Sequence, residues 1–144
     1  MTNHPTAGGT HLPDMTIITP VFIKGRAIAY VASRGHHSDI GGIQPGSMPA
    51  FSKHIDEEGA QFVSFKIVKN GVFNEAELVE ILTNQPDQVN PLITGTRNLV
   101  DNLADFKAQI AANKRGIELL STLIDEYSLV YVQAYMVHIQ KNAE

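Results

Sequence analysis

Three imidazoles and two carboxylates lie in two glycine-rich segments near the start of the chain, Gly8-Gly9-Thr10-His11-Leu12-Pro13-Asp14 and Ser33-Arg34-Gly35-His36-His37-Ser38-Asp39-Ile40-Gly41-Gly42. Histidine nitrogens and aspartate oxygens are common ligands of divalent metals, and glycine lets backbone crowd around such a centre. His11 and Asp14 are three residues apart with Pro13 bending the chain between them, so both side chains can turn toward one point. Taken alone, that spacing is more common in ordinary loops, where a histidine is hydrogen-bonded and an aspartate caps a turn. The second histidine cluster shifts the balance toward a metal. Adjacent residues of an extended chain face opposite ways, so at most one of His36 and His37 joins His11; the other is left to meet substrate or make a hydrogen bond. Asp39 reads equally as an acceptor that orients an imidazole or as an Asx turn before Gly41-Gly42.

Arg34 and Arg97 are candidates for anchoring an anionic substrate group, because guanidinium matches a carboxylate with two parallel hydrogen bonds. Arg97 stands at the expected start of a helix, where a cation is less favoured than an anion, so an ion pair with Asp101 or a functional contact is expected. His4, His54 and His138 have no partner in sequence, and Asp101, Asp105 and Glu118 read as the wet side of helices. Gly41-Gly42 and Gly46 are not followed by the Lys-Ser/Thr of a phosphate loop, and no serine sits in a nucleophile elbow. The pattern therefore singles out no nucleotide site and no catalytic side chain.

The elements that must position these residues can be read from periodicity. Thr16–Phe22 is β-branched and apolar, and Ala27–Ala32 is its expected hairpin partner across the short Ile23-Lys24-Gly25-Arg26 link. An antiparallel pairing would bring His11, Asp14 and His36 to the same end. Ile40–Pro49 reads as an ordered loop, and Gln61–Val68 alternates Val63, Phe65 and Ile67 against Ser64 and Lys66, as a half-buried strand does. Asn70-Gly71 is a turn, and Asn74 with Glu77 has the spacing of a capping box for a helix through Leu82. After Pro86 and Pro91, the segment from Arg97 places Leu99, Leu103, Phe106 and Ile110 on one helical face, with Thr96 as N-cap and a break at Gly116. Ile117, Leu120, Leu123, Ile124 and Tyr127 continue the period, followed by Leu129, Val132, Met136 and Ile139 after an interruption at Ser128. The expected class is α+β: antiparallel strands and glycine-rich loops first, then an amphipathic helical hairpin.

Composition bounds the function. The 144 residues, 43% hydrophobic, suit one domain, and a net charge of −4 argues against a nucleic-acid surface. There is no membrane-length apolar run, no signal-peptide pattern and no cysteine for disulfide or thiolate chemistry, which leaves a cytoplasmic protein as the expectation. A functional-looking loop with almost no scaffold before it points to a piece of something longer.

Longer runs carry a resemblance: Thr2-Asn3-His4-Pro5 with Ala7–Asp14, Tyr30–Ile43, Gln44-Pro45-Gly46-Ser47-Met48-Pro49, Gly95-Thr96-Arg97-Asn98-Leu99, and Ala108–Asn113. Together they resemble the hydantoinase B/5-oxoprolinase family, in its eukaryotic-type ATP-dependent branch, over essentially all 144 residues. The resemblance implies a partial hydantoinase B-type domain spanning 1–144, an internal fragment of a longer chain. It implies that 5-oxo-L-proline is opened to L-glutamate at the cost of ATP, with His11, Asp14 and His36 as ligands of a divalent metal (zinc, manganese or iron). His37, Asp39, Arg34 and Arg97 remain candidates for supporting or substrate contacts. A further family aspartate, contributed from well upstream, has no counterpart in the chain. The other implied partners are a hydantoinase A-type part that binds ATP with magnesium and a homo-oligomeric assembly. Ser38 and Ser128 stand where alanine and glycine are usual in the family. Two alternatives remain at this stage: a non-catalytic or metal-binding-only module, and a related hydantoin-opening or ketone-carboxylating enzyme part.

Overall fold

The β-branched run after Asp14 forms β1 (Asp14–Ile23), which pairs antiparallel with β2 (Arg26–His36). Lys24 and Gly25 make the two-residue turn, with φ of 49° and 77°. Positive φ at both central residues gives a turn whose twist matches that of the flanking strands, and glycine adopts it without steric cost. In this computed structural model the described residues are 1–46, 48–84 and 90–144; the readings at Ser47 and Pro86 lie outside them. Both strands run beyond their apolar segments, so that Asp14 faces His36, Met15 faces Gly35 and Thr16 faces Arg34 across the ladder. A register irregularity between Val21 and Phe22 leaves Ile28 as the extra residue, at the turn end and away from the histidines. Met15, Ile17 and Val21 alternate into the core, while Asp14, Thr16 and Ile18 take the other face.

The strand expected over Gln61–Val68 does not form. Ser64 adopts φ 53°, which breaks the alternation, so Phe62 and Ile67 are buried and Val63 is exposed. Met1 takes the pairing instead: its backbone nitrogen donates to the Phe65 carbonyl at 2.7 Å, and the Phe65 N–H donates to the Met1 carbonyl at 2.9 Å. Only the short ribbon β3 (Val68–Lys69) and β4 (Val72–Phe73) remains, around the Asn70-Gly71 turn. Asn74 precedes α1 (Glu75–Thr83), yet its amide donates to the Glu77 carboxylate at 2.7 Å and accepts no backbone N–H. The capping-box spacing is thus used for a side-chain contact.

The long helix α2 (Leu99–Tyr127) has Asn98, not Thr96, at its N-cap position and passes through Gly116 unbroken. Glycine costs a helix about 1 kcal/mol but does not end it where tertiary packing holds the turn, and Gly116 lies against Val31 of β2. The interruption falls at Ser128, at φ 71°, after which α3 (Leu129–Ala143) runs to the chain end. The α2 helix packs over the buried face of the hairpin, with α1 beside it. Leu12, Met15, Ile17, Phe62, Leu78 and Phe106 lie in the core between them. None of the helices among the described residues is long and apolar enough to cross a membrane.

Candidate metal centre

A tight turn carries His11 to the end of the hairpin. The Asp14 N–H donates to the His11 carbonyl at 3.1 Å, and the His37 N–H donates across to the Pro13 carbonyl at 2.9 Å. Buried Asn3 braces this turn from behind: its amide donates to the carbonyls of Leu12 and Ala60, both at 2.8 Å, and its oxygen accepts the Phe62 N–H at 2.7 Å. Gly9 must be glycine for this approach, since a Cβ there would fall 1.9 Å from the Asn3 carbonyl oxygen.

Three ligand atoms converge at that end. His36 Nδ1 is 3.0 Å from Asp14 Oδ1 and 3.2 Å from His11 Nε2, and His11 Nε2 is 3.6 Å from Asp14 Oδ1. These separations fit a shared divalent ion. Metal–ligand bonds of about 2.0–2.2 Å give edges of about 3.3–3.6 Å in a tetrahedron and about 2.8–3.1 Å in an octahedron. Among the described residues this is the group of histidine and carboxylate side chains able to hold a metal. The side chains keep 29% (His11), 20% (Asp14) and 49% (His36) of their surface exposed, so a bound ion would face outward with coordination positions free of these three ligands. Desolvation opposes charge on Asp14, but hydrogen bonds from His36 and Thr10 and the nearby imidazoles outweigh it and hold the carboxyl below its ordinary range. The carboxylate is therefore in the ligating form at neutral pH.

The other candidates are placed elsewhere. His37 points into the interior, 1% exposed, stacked on Phe106 at 4.4 Å between ring centres. Its Nδ1 lies 3.2 Å from the Asn102 amide nitrogen and its Nε2 lies 3.5 Å from Gln109 Oε1, which suits a neutral ring protonated on Nε2. Burial pushes its pKa below the ordinary histidine value, against the Gln109 hydrogen bond and the charge of Asp105. Asp39 takes the Asx-turn role, accepting the Gly41 N–H at 2.9 Å, and it touches neither His11 nor His36. Arg97 pairs with Asp39, not Asp101: Nη1 lies 3.1 Å from Oδ1, the Arg97 N–H donates to Oδ2 at 3.1 Å, and Nη2 donates to the Gly42 carbonyl at 2.9 Å. The carboxylate near the start of α2 answers the unfavourable position of that cation. Arg34 stays on the exposed face, its Nε donating to Thr16 Oγ1 at 2.9 Å. His4 accepts from Thr6 beside its own turn, and His138 rests against Tyr135.

Two sets of supporting residues escaped the sequence reading. Thr10 donates its hydroxyl to Asp14 Oδ2 at 3.1 Å, fixing the carboxylate that faces the histidines. On α2, Asn102, Gln109 and Asn113 are buried beside Phe106. Gln109 donates to the Met15 carbonyl and Asn113 to the Ile17 carbonyl, each at 3.0 Å, tying the helix to β1. Their spacing with Phe106, at four, seven and eleven residues from Asn102, is that of a core-facing stripe and was a readable signal.

Fold and site together define a β-hairpin that presents a two-histidine, one-aspartate cluster, backed by a long helix. The model of the hydantoinase B/oxoprolinase family matches residues 1–144, and the chain belongs to that family. It is similar to 5-oxoprolinase 1 of Arabidopsis thaliana, 57% identical over all of this chain and 12% of the relative. The 5-oxoprolinase of Dictyostelium discoideum is 56% identical over all of this chain and 10% of its own length. Among solved structures, the ATP-dependent caprolactamase from Pseudomonas jessenii superposes with a TM-score of 0.74 at 28% identity, covering 95% of this chain and 22% of that one. The chain thus spans about a tenth of the length of these curated relatives.

Proposed function

We propose that this chain is the metal-bearing part of an enzyme that opens 5-oxo-L-proline to L-glutamate, driven by ATP. The observation that carries the reading is the convergence of His11 Nε2, Asp14 Oδ1 and His36 Nδ1 in a chain whose similarity to 5-oxoprolinases runs from end to end. The similarity to a B-type protein of a putative D-/L-hydantoinase from Pseudomonas is weaker, at 33% identity, which favours the oxoproline over the hydantoin ring. Residues 1–144 act as part of a larger hydantoinase B-type domain, with the ATP-binding part and a fourth, aspartate ligand contributed from outside them. A cytoplasmic location and a homo-oligomeric assembly belong to the same proposal.

An amide carbon is a weak electrophile, so the reaction needs activation. In the proposed sequence the lactam oxygen takes the γ-phosphoryl group of ATP and ADP leaves. Water adds to the ring carbon, and the C–N bond breaks as the nitrogen takes a proton. The acyl phosphate so formed is cleaved by a second water to the carboxylate and phosphate. A divalent ion on the three ligands supplies a Lewis acid when bound; zinc, manganese and iron all suit this donor set. The residues of this chain hold the site in shape. Thr10 orients Asp14, the hairpin register holds His36 opposite it, and the outward exposure of the cluster leaves a substrate room to approach.

The test is the full-length protein with His36→Ala. Glutamate formation is expected to fall by about 100-fold or more, while 5-oxo-L-proline still stimulates ATP cleavage. Glutamate formed at the wild-type rate, coupled to ATP, would contradict the reading.

A further inference from the structure

We propose that Arg34 receives a carboxylate of the substrate, so that the centre selects lactams carrying one over the same ring without it. The proposal rests on the reading of the centre as a lactam-opening site. Arg34 precedes His36 by two residues on β2 and stands opposite Thr16, while Asp14 stands opposite His36. The period of two puts all four side chains on one face of the hairpin, with Arg34 and His36 about 6.5–7 Å apart along the strand. The guanidinium is held but not consumed: Nε donates to Thr16 Oγ1 at 2.9 Å, and among the described residues neither Nη has a hydrogen-bond partner and no carboxylate pairs with it.

Arg97 supplies the contrast. Its Nη groups are spent on Asp39 and the Gly42 carbonyl, within the loop they brace. Of the two arginines raised by the sequence, only Arg34 keeps a planar pair of donors free beside the metal cluster. That fork matches a carboxylate with two parallel, charge-assisted hydrogen bonds. The charge balance agrees: with the fourth, aspartate ligand of the proposed site a divalent cation is balanced by two carboxylates, so Arg34 supplies the positive charge that an anionic substrate group would meet. A phosphoryl group on an activated lactam offers the same oxyanion chemistry, and the choice of substrates separates the two.

The experiment uses the full-length enzyme at saturating ATP, with Arg34→Met and Arg34→Lys, on 5-oxo-L-proline and on 2-pyrrolidinone, the same lactam without the carboxylate. Expected for Arg34→Met is a fall in the preference for 5-oxo-L-proline, as the ratio of kcat/KM values, by at least about 30-fold, mainly through KM. Arg34→Lys recovers part of it, and the metal content, measured on the purified protein, stays at the wild-type level. An unchanged ratio would overturn the proposal. So would an equal loss on both lactams, the mark of a phosphoryl or purely structural contact, or a loss of metal. A wild-type enzyme that holds no metal would overturn the lactam-opening centre itself and the role of Arg34 with it.

Discussion

Asp14 and His36 stand directly opposite each other in the β1–β2 ladder, and Asp14 Oδ1 lies 3.0 Å from His36 Nδ1. Opposed Cβ atoms are about 4.5–5.5 Å apart in such a pair, so strand register alone delivers two of the three candidate ligands. A one-residue slip would turn one of them to the buried face. His11 then needs only the Pro13 turn to reach the same point.

Thr10 steadies this arrangement through its hydroxyl on Asp14 Oδ2. Partners that orient a metal-binding carboxylate are typically worth about 10–100-fold in affinity. Thr10→Val should therefore weaken divalent-metal affinity by about tenfold, read by competition with a metal indicator, with the fold unchanged. Wild-type affinity in the variant would show that the hydroxyl does not matter to the ligand.

His37 makes stability depend on pH. Burial lowers its pKa in the folded chain, so below about pH 6.5 the unfolded state takes up a proton that the folded state resists. Stability is full above that value and is lost as pH falls toward the depressed folded pKa. Hydrogen exchange over α2 in the full-length protein should accelerate as pH falls from about 6.5 to 5.5, after correction for intrinsic rates. His37→Gln should flatten that dependence, and an equal pH response in the variant would remove His37 as its source.

Asn3 closes three buried hydrogen bonds at once, to Leu12, Ala60 and Phe62. At about 1 kcal/mol each, with backbone groups left unpaired, Asn3→Ala should cost about 3 kcal/mol locally. Protection of the Phe62 amide from hydrogen exchange should drop by about 100-fold. Undiminished protection would mean that water or a rearranged loop replaces these contacts.

What could be read in advance was what depends on neighbours in sequence. The β-branched runs and the Lys24-Gly25 turn make the hairpin legible, and an antiparallel pairing brings His11, Asp14 and His36 to one end by short-range rules alone. Partners distant in sequence were not legible. For Arg97 the neighbouring sequence offers Asp101 or a functional contact, whereas the side chain binds Asp39, 58 residues back. The strand expected at Gln61–Val68 lost to Met1 and to the positive φ of Ser64, neither of which leaves a mark on local hydropathy. Asn102, Gln109 and Asn113 leave no mark on a hydrophobic stripe, yet these amides satisfy β1 carbonyls and His37 from within the same helix face.

The most direct test is the metal content of the full-length protein, by mass spectrometry of the purified wild type and of the double variant His11→Ala with His36→Ala. About one divalent ion per chain is expected at this centre in the wild type, and a loss of that one equivalent in the double variant, with the helical spectrum preserved. Equal metal content in both proteins, or none in the wild type after loading with zinc or manganese, would contradict the assignment of His11, Asp14 and His36 as a metal centre.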